Sequence, residues 1–314
     1  MVSVNGDWEI KGRTERQGFD LFYGYYNQWH AHTYYTHLFR NSKKVELDGR
    51  YTHHAIFDET IKFLKNNKDK PFFLYCPWTP PHAAYQIPED EPAWKMYKDK
   101  PWPKDARVAA AMDTMMDRHV GEITALLKKL GIYQNTLMFF TSDNGAAKRF
   151  DGIHNSSGVM QGKKRSLNEG GIRVPMVVRW PGKIKAGRVS SHPWYFPDVM
   201  PTFAEIGGVS TEVPEDIDGI SILPTLLDEG EQKLHEYMFW HYGVRAVRSG
   251  KWKGIGKGSH LYLYDLSKDI EEKNDLSSKH PEITARMKKY ITIGYREPRS
   301  QKDDGKYTGK GDKN

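Results

Sequence analysis

Three short stretches of this 314-residue chain combine side chains whose types and spacing could do chemistry. Ser142-Asp143-Asn144-Gly145 sets an ionised carboxylate beside an amide carbonyl, and both are hard oxygen donors suited to Ca²⁺ or Mg²⁺. Gly145 would let the backbone turn sharply after them. Taken alone, Asp-Asn-Gly also reads as an ordinary Asx turn. Pro77-Trp78-Thr79-Pro80-Pro81-His82 holds one imidazole in a loop stiffened by prolines. There His82 could donate to an anion or protonate a leaving group, and a purely structural histidine is the alternative. Gly162-Lys163-Lys164-Arg165 opens a glycine-flanked loop running through Asn168-Glu169-Gly170-Gly171 to Pro175. Lysines in such a loop are flexible point charges matched to sulfate or phosphate, against the plainer reading of a solvated charge run. A metal donor pair, an acid and a cation on three separate loops make the plain readings harder to hold together than one by one.

Apolar runs flank these loops and must position them. Phe72–Cys76 precedes the His82 loop, Leu137–Thr141 runs into Ser142, and Pro175–Trp180 follows the lysine loop; each suits a buried strand. Between the first two, Met112, Met115, Met116, His119, Val120, Ile123, Leu126, Leu127 and Leu130 recur at helical spacing, with Gly131 in the C-cap position. A weaker amphipathic helix carries Ile56, Phe57, Ile61 and Leu64. Alternating helix and strand predicts an α/β domain with a mainly parallel or mixed sheet sandwiched by helices, binding ligands beyond the strands' carboxyl ends. Past Ile222 the pattern changes to short strand candidates around Glu236–Trp240, Val244–Arg248, Lys251–Lys253 and Leu261–Tyr264, with Ser249-Gly250 as a tight turn. A small antiparallel meander closed by a helix over 281–293 is expected. The implied organisation is an α/β domain over 1–225, a small α+β subdomain over 226–295 and a disordered tail over 296–314.

Composition narrows the classes. Aromatic residues make up 13% of the chain, enough buried apolar surface to argue against general disorder. No apolar run approaches the roughly 18 residues of a membrane-spanning helix, so no membrane span is expected. The single cysteine, Cys76, excludes an internal disulfide and a multi-cysteine zinc site. A net charge of +7 without a helix-turn-helix or RNP-like strand gives no nucleic-acid partner, while it favours an anionic substrate. Met1–Asp7 has no signal-peptide pattern and reads as an entry into the middle of a fold.

The ordered set of motifs resembles the type I, arylsulfatase-like sulfatases of the alkaline-phosphatase superfamily. Ser142–Gly145, Pro80-Pro81-His82 and Asn168–Pro175 carry the resemblance, with Gln17–Asp20, Tyr23–Tyr25, His30-Ala31-His32, Leu263–Leu266, Glu272 and Asn274–Leu276. It covers residues 6 to 295. The resemblance implies a sulfuric-ester hydrolase acting on a sulfated small molecule or glycan, with Asp143 and Asn144 binding a divalent cation, usually Ca²⁺. His82 would contact the sulfate ester and protonate the leaving oxygen, and Lys164 would bind the sulfate. Lys163, His30 and His32 are further substrate-binding candidates, and the family's usual compartment is periplasmic or secreted. Phosphoester and phosphonate hydrolysis belong to the same superfamily.

One departure is serious. The family's nucleophile is a formylglycine made within Cys/Ser-x-Pro/Ala-x-Arg, and no such pentapeptide occurs in these 314 residues. Cys76 is followed by Pro-Trp-Thr-Pro and reads as a buried strand-end residue. The paired metal-binding aspartates of the first strand are missing as well; Asp303-Asp304 lies in the tail, and Gly6-Asp7-Trp8 has Asp7 where a lysine is expected. These gaps predict a chain lacking an N-terminal portion and inactive as written, or a sulfatase-derived remnant that binds anions without turnover.

Overall fold

The computed structural model describes Thr14 and residues 17–296. Gly6-Asp7-Trp8, Asp303-Asp304 and the tail from 297 onward lie outside the described residues. Backbone contacts divide the chain into two compact units, one reaching to Gln134 and one starting at Asn135.

In the first unit, β1 (Tyr23–Gly24), β2 (Leu38–Arg40) and β3 (Lys43–Val45) pair antiparallel, with Gly24 opposite Phe39 and Leu38 opposite Val45. A one-turn helix α1 (Gln28–Ala31) sits between β1 and β2. Three longer helices follow: α2 (Thr52–Asn67), α3 (Pro92–Tyr97) and α4 (Lys104–Lys129). The helical spacing read along α4 is realised, because Met112 and Met115 are fully buried with Ala111, Val108, Trp94, Tyr34 and Tyr51 in one core. The helix stops at Leu130, and Gly131 takes a left-handed φ of +75° that a side chain would resist. α3 starts with Pro92 at its first position, and the Glu91 carboxylate accepts from the Ala93 N–H at 3.3 Å.

In the second unit, β4 (Met138–Thr141) and β5 (Met176–Arg179) form an antiparallel pair with Phe140 opposite Val177. The short helix α5 (Glu169–Ile172) precedes β5, and α6 (Val199–Ile206) and α7 (Leu223–Leu227) come after it. Then β6 (Met238–Tyr242), β7 (Val244–Ser249), β8 (Trp252–Lys257) and β9 (His260–Asp265) make the expected four-stranded meander in sequential order. The closing helix α8 (Pro281–Ile293) lays Met287 and Tyr290 against Val247, Leu261 and Leu263 of that sheet.

Two local expectations change. Phe72–Cys76 lies outside the ladders of the described residues, and exposure alternates along it, Phe73 being 57% and Tyr75 61% exposed. It is therefore not the fully buried strand that its apolar content suggests. The ladders among the described residues are antiparallel, so the parallel pairings implied by helix–strand alternation are not among them. For β4 and β5 the cause is visible: the chain leaves the sheet at Thr141 and returns at Met176 in the opposite direction, with only the one-turn α5 between the two strands, too short to carry a parallel crossover. Among the described residues no helix is long and apolar enough to cross a membrane.

Candidate active site

The residues singled out from the sequence fall into two groups, one in each unit. In the first unit, His82 and His32 come together: their rings stack at 4.4 Å between centroids and 11° between planes. Backbone bonds fix this pair. The Ala84 N–H donates to the His32 carbonyl at 3.0 Å, the His82 N–H donates to the Thr79 carbonyl at 3.0 Å, and the buried Tyr34 hydroxyl donates to the His82 carbonyl at 3.0 Å. His82 Nδ1 lies 2.5 Å from the Ala83 carbonyl oxygen, which can only accept, so Nδ1 carries the hydrogen. Nε2 is then the nitrogen that exchanges a proton with a ligand.

His30 is held apart from that pair. Its backbone N–H donates to Asn27 Oδ1 at 2.9 Å, and its ring meets His37 edge-on at 4.5 Å. Burial, then His37 and Lys44, hold its imidazole below the usual range, so it is a neutral hydrogen-bonding group near pH 7.

In the second unit the Asp143-Asn144 turn and the lysine loop are pinned together by their backbones. The Gly145 N–H donates to the Gly171 carbonyl at 2.9 Å, and the Lys164 N–H donates to the Ala146 carbonyl at 2.8 Å. Gly145 is required there, because a Cβ on it would lie 2.1 Å from the Gly170 carbonyl oxygen. The Asn144 amide donates to the Gly145 carbonyl at 3.1 Å, which leaves its own oxygen available. Asp143 is exposed, and among the described residues its carboxylate has no hydrogen-bond or ion-pair partner; the ammonium groups of Lys163 and Lys164 have none either. The lysine loop thus offers two uncommitted cations beside two uncommitted oxygen donors.

A buried ion cluster holds this loop from behind. Lys253 of β8 is fully buried, its Nζ 2.8 Å from Glu169 Oε1 and 3.0 Å from Glu272 Oε1. Glu272 also accepts from the Glu169 backbone N–H at 2.7 Å, and Arg173 reaches Glu169 at 3.2 Å. Burial opposes the charge on Glu169, but Lys253 outweighs it and keeps the carboxyl below the usual carboxylate range. Nothing in the sequence marks Lys253 as buried. Lys253 shares one face of β8 with Ile255, while Gly254 turns to the other face against Met287 of α8, so three successive buried residues reflect a sheet covered on both sides.

A divalent cation is implied by the family resemblance, and the residues described here fit it only in part. Asp143 and Asn144 supply at most about three oxygen ligands of the six to eight that Ca²⁺ takes. Among the described residues no group of three or more His, Cys, Asp or Glu side chains converges to hold a metal. Cys76 is not a thiolate candidate, because burial pushes its thiol up to about 11.

Comparison with known proteins fits this geometry. The sulfatase family model matches residues 4–209, and the model of the N-sulphoglucosamine sulphohydrolase C-terminal region matches 161–294. The chain belongs to the sulfatase family. It is 34% identical over 204 residues to the steryl-sulfatase of Mus musculus, covering 62% of this chain and 30% of that one. It is 32% identical over 245 residues to the uncharacterized sulfatase YdeN of Escherichia coli, covering 74% and 40%. It is 30% identical over 259 residues to the N-acetylgalactosamine-6-sulfatase of Canis lupus familiaris, covering 80% and 43%. The chain thus spans between 30% and 43% of the length of these relatives. Among solved structures, Ps i-CgsB in complex with k-i-k-neocarrahexaose superposes with a TM-score of 0.80 at 28% identity, covering 91% of this chain and 68% of that one. The phosphonate monoester hydrolase of Agrobacterium radiobacter shares the fold at a TM-score of 0.56 and 21% identity. The fold is the sulfatase-type α/β fold of the alkaline-phosphatase superfamily, with a small C-terminal antiparallel sheet and helix.

Proposed function

We propose that this chain carries the acid and cation groups of a sulfuric-ester hydrolase site whose substrate is a sulfated small molecule or glycan. In this reading Lys164 binds the sulfate, with Lys163 beside it, and His82, as an imidazolium that keeps its Nδ1 hydrogen on the Ala83 carbonyl, is the proton donor through Nε2 for the oxygen that leaves when a nucleophile not contained in these 314 residues attacks sulfur. His32 holds the His82 ring in place by stacking, and His30 contributes a neutral donor or acceptor. Negative charge builds on the leaving oxygen and the sulfate in such a transition state, so a proton donor and a fixed ammonium are the groups it needs. Asp143 and Asn144 would contribute to holding a divalent cation of the Lewis-acid type; ligands beyond these two are needed to complete that shell.

The observation that carries the reading is the backbone pinning of the Lys164 loop to the Asp143-Asn144 turn through Gly145, in a chain of this family. Because these 314 residues contain no Cys/Ser-x-Pro/Ala-x-Arg, they bind sulfate esters without releasing sulfate. That same absence favours the second reading, an anion-binding remnant without turnover. Periplasmic or secreted location goes with the first.

The test is titration and turnover with 4-nitrophenyl sulfate, 4-nitrophenyl phosphate and phenyl phosphonate. Preferential binding of the sulfate ester without nitrophenol release is the expected result. Turnover of the sulfate would overturn the inactivity. Tighter binding of the phosphonate would move the function to the other branch of the superfamily.

A further inference from the structure

A cleft of about 170 Å³ opens in the first unit, walled by Tyr35, Tyr85, Gln86, Glu89, Trp94 and Lys104. The two chain segments that carry the stacked histidines also build it. His32–Tyr35 and His82–Gln86 run side by side, joined by the Ala84 N–H to the His32 carbonyl and by the Tyr34 N–H to Gln86 Oε1 at 3.1 Å. One end of this pair presents the rings of His32 and His82, and the other gives Tyr35, Tyr85 and Gln86 to the cleft. Only Ala83 and Ala84 lie between His82 and Tyr85, so three Cα-to-Cα steps keep their Cα atoms no more than about 11 Å apart.

The lining has a definite chemistry. Tyr35 is 46% exposed and offers a ring face, while Trp94 is a buried floor whose Nε1–H donates to Glu89 Oε2 at 3.1 Å and fixes that carboxylate in the wall. Gln86 accepts through its oxygen and keeps its NH₂ for a ligand. Lys104, the exposed first residue of α4, has no ion-pair partner among the described residues. A ring face, a carboxylate, an amide donor and an ammonium together suit a polyhydroxylated ring, whose C–H face stacks and whose hydroxyls bond. A purely apolar aryl or sterol body would desolvate the Glu89 carboxylate and leave the Gln86 NH₂ without an acceptor.

We propose that this cleft is a saccharide subsite that holds a glycan ring neighbouring the one whose sulfate ester is at His82, and that Lys104 selects an anionic substituent on the ring it holds. The proposal rests on the role given to His82 above.

The test uses 4-nitrophenyl sulfate and two hexasaccharides, one from κ-carrageenan and one from chondroitin 6-sulfate, titrated into the full chain. At least one hexasaccharide binds about tenfold or more tighter than 4-nitrophenyl sulfate. Tyr35→Ala and Lys104→Ala each lose most of that advantage and bind 4-nitrophenyl sulfate as before, whereas Tyr35→Phe retains it. Failure of both hexasaccharides to exceed 4-nitrophenyl sulfate, or unchanged hexasaccharide affinity in both alanine variants, overturns the subsite. Failure of the underlying reading shows separately, as unchanged 4-nitrophenyl sulfate affinity in His82→Ala.

Discussion

Mild acid should destabilise the protein through two histidines that the first unit buries as neutral bases. His53 on α2 and His119 on α4 are 1% and 2% exposed, with His53 Nε2 3.0 Å from His119 Nδ1. Phe57 stacks on the His119 ring at 3.8 Å, and His53 Nδ1 is buried with no hydrogen-bond partner among the described residues. Burial, then His119, His54 and Arg118, lower His53 to about 3. Burial, then Arg118 and His54, lower His119 to about 4, with Glu91 and Asp58 opposing weakly. Both folded values lie below the ordinary 6.5, so the stabilisation is fully present above pH 6.5. It is lost as pH falls from there towards 4 and 3, because the unfolded chain takes up protons first. At pH 5 an unfolded imidazole is almost fully protonated and the buried ones are not, which costs about 2 kcal/mol for each, or about 4 kcal/mol together. That is a large part of a typical domain stability of about 5–15 kcal/mol. Urea unfolding followed by tryptophan fluorescence from pH 7.5 to 5 measures it, in the wild type and in His119→Gln, whose loss should be roughly half. NMR titration of the two imidazoles gives a second readout, with midpoints below 5. Stability unchanged within about 1 kcal/mol across that range, or midpoints near 6.5, would refute the reasoning.

Further outcomes follow from the second unit and from Cys76. Lys253→Met strips the buried cation from Glu169 and Glu272 and should cost about 3–5 kcal/mol by thermal or urea melting, whereas adding Glu169→Gln and Glu272→Gln should restore much of it. A loss under about 1 kcal/mol in Lys253→Met would show that the cluster does not hold the loop. Gly145→Ala forces a Cβ into the Gly170 carbonyl, so it should lower stability by at least about 1–3 kcal/mol and abolish sulfate-ester binding in the same titration. Calorimetry with Ca²⁺ should give no dissociation constant tighter than about 10⁻⁴ M, and Asp143→Ala should remove it; tight stoichiometric binding would mean ligands outside Asp143 and Asn144. Cys76 should stay unreactive to a thiol-disulfide reagent at pH 8 in the folded protein and react at once in urea, since burial raises its thiol to about 11.

Much of the fold was legible because periodicity is a local property. The stripe along α4, the apolar runs of β4 and β5, the turn at Ser249-Gly250 and the terminal helix from Pro281 all follow from neighbours a few residues apart. Pairing partners are not local, and there the sequence misled: Phe72–Cys76 has a strand's composition but lies outside the described ladders. The same divide runs through the site. Residue types marked His82, Asp143, Asn144 and Lys164, and the structure stacks His32 on His82 and ties the Lys164 loop to the Asp143 turn. The buried Lys253–Glu169–Glu272 cluster and the His53–His119 pair join residues 19 to 103 positions apart, so no spacing rule exposes them.

The sulfate-binding role of Lys164 admits a residue-level measurement. Lysines are labelled with acetic anhydride in the presence and absence of 4-nitrophenyl sulfate, and each site is quantified by peptide mass spectrometry. Lys164 should be protected by the ester, Lys163 less so, and the exposed Lys183 and Lys185 not at all. Equal labelling of Lys164 with and without a saturating ester would contradict the assignment.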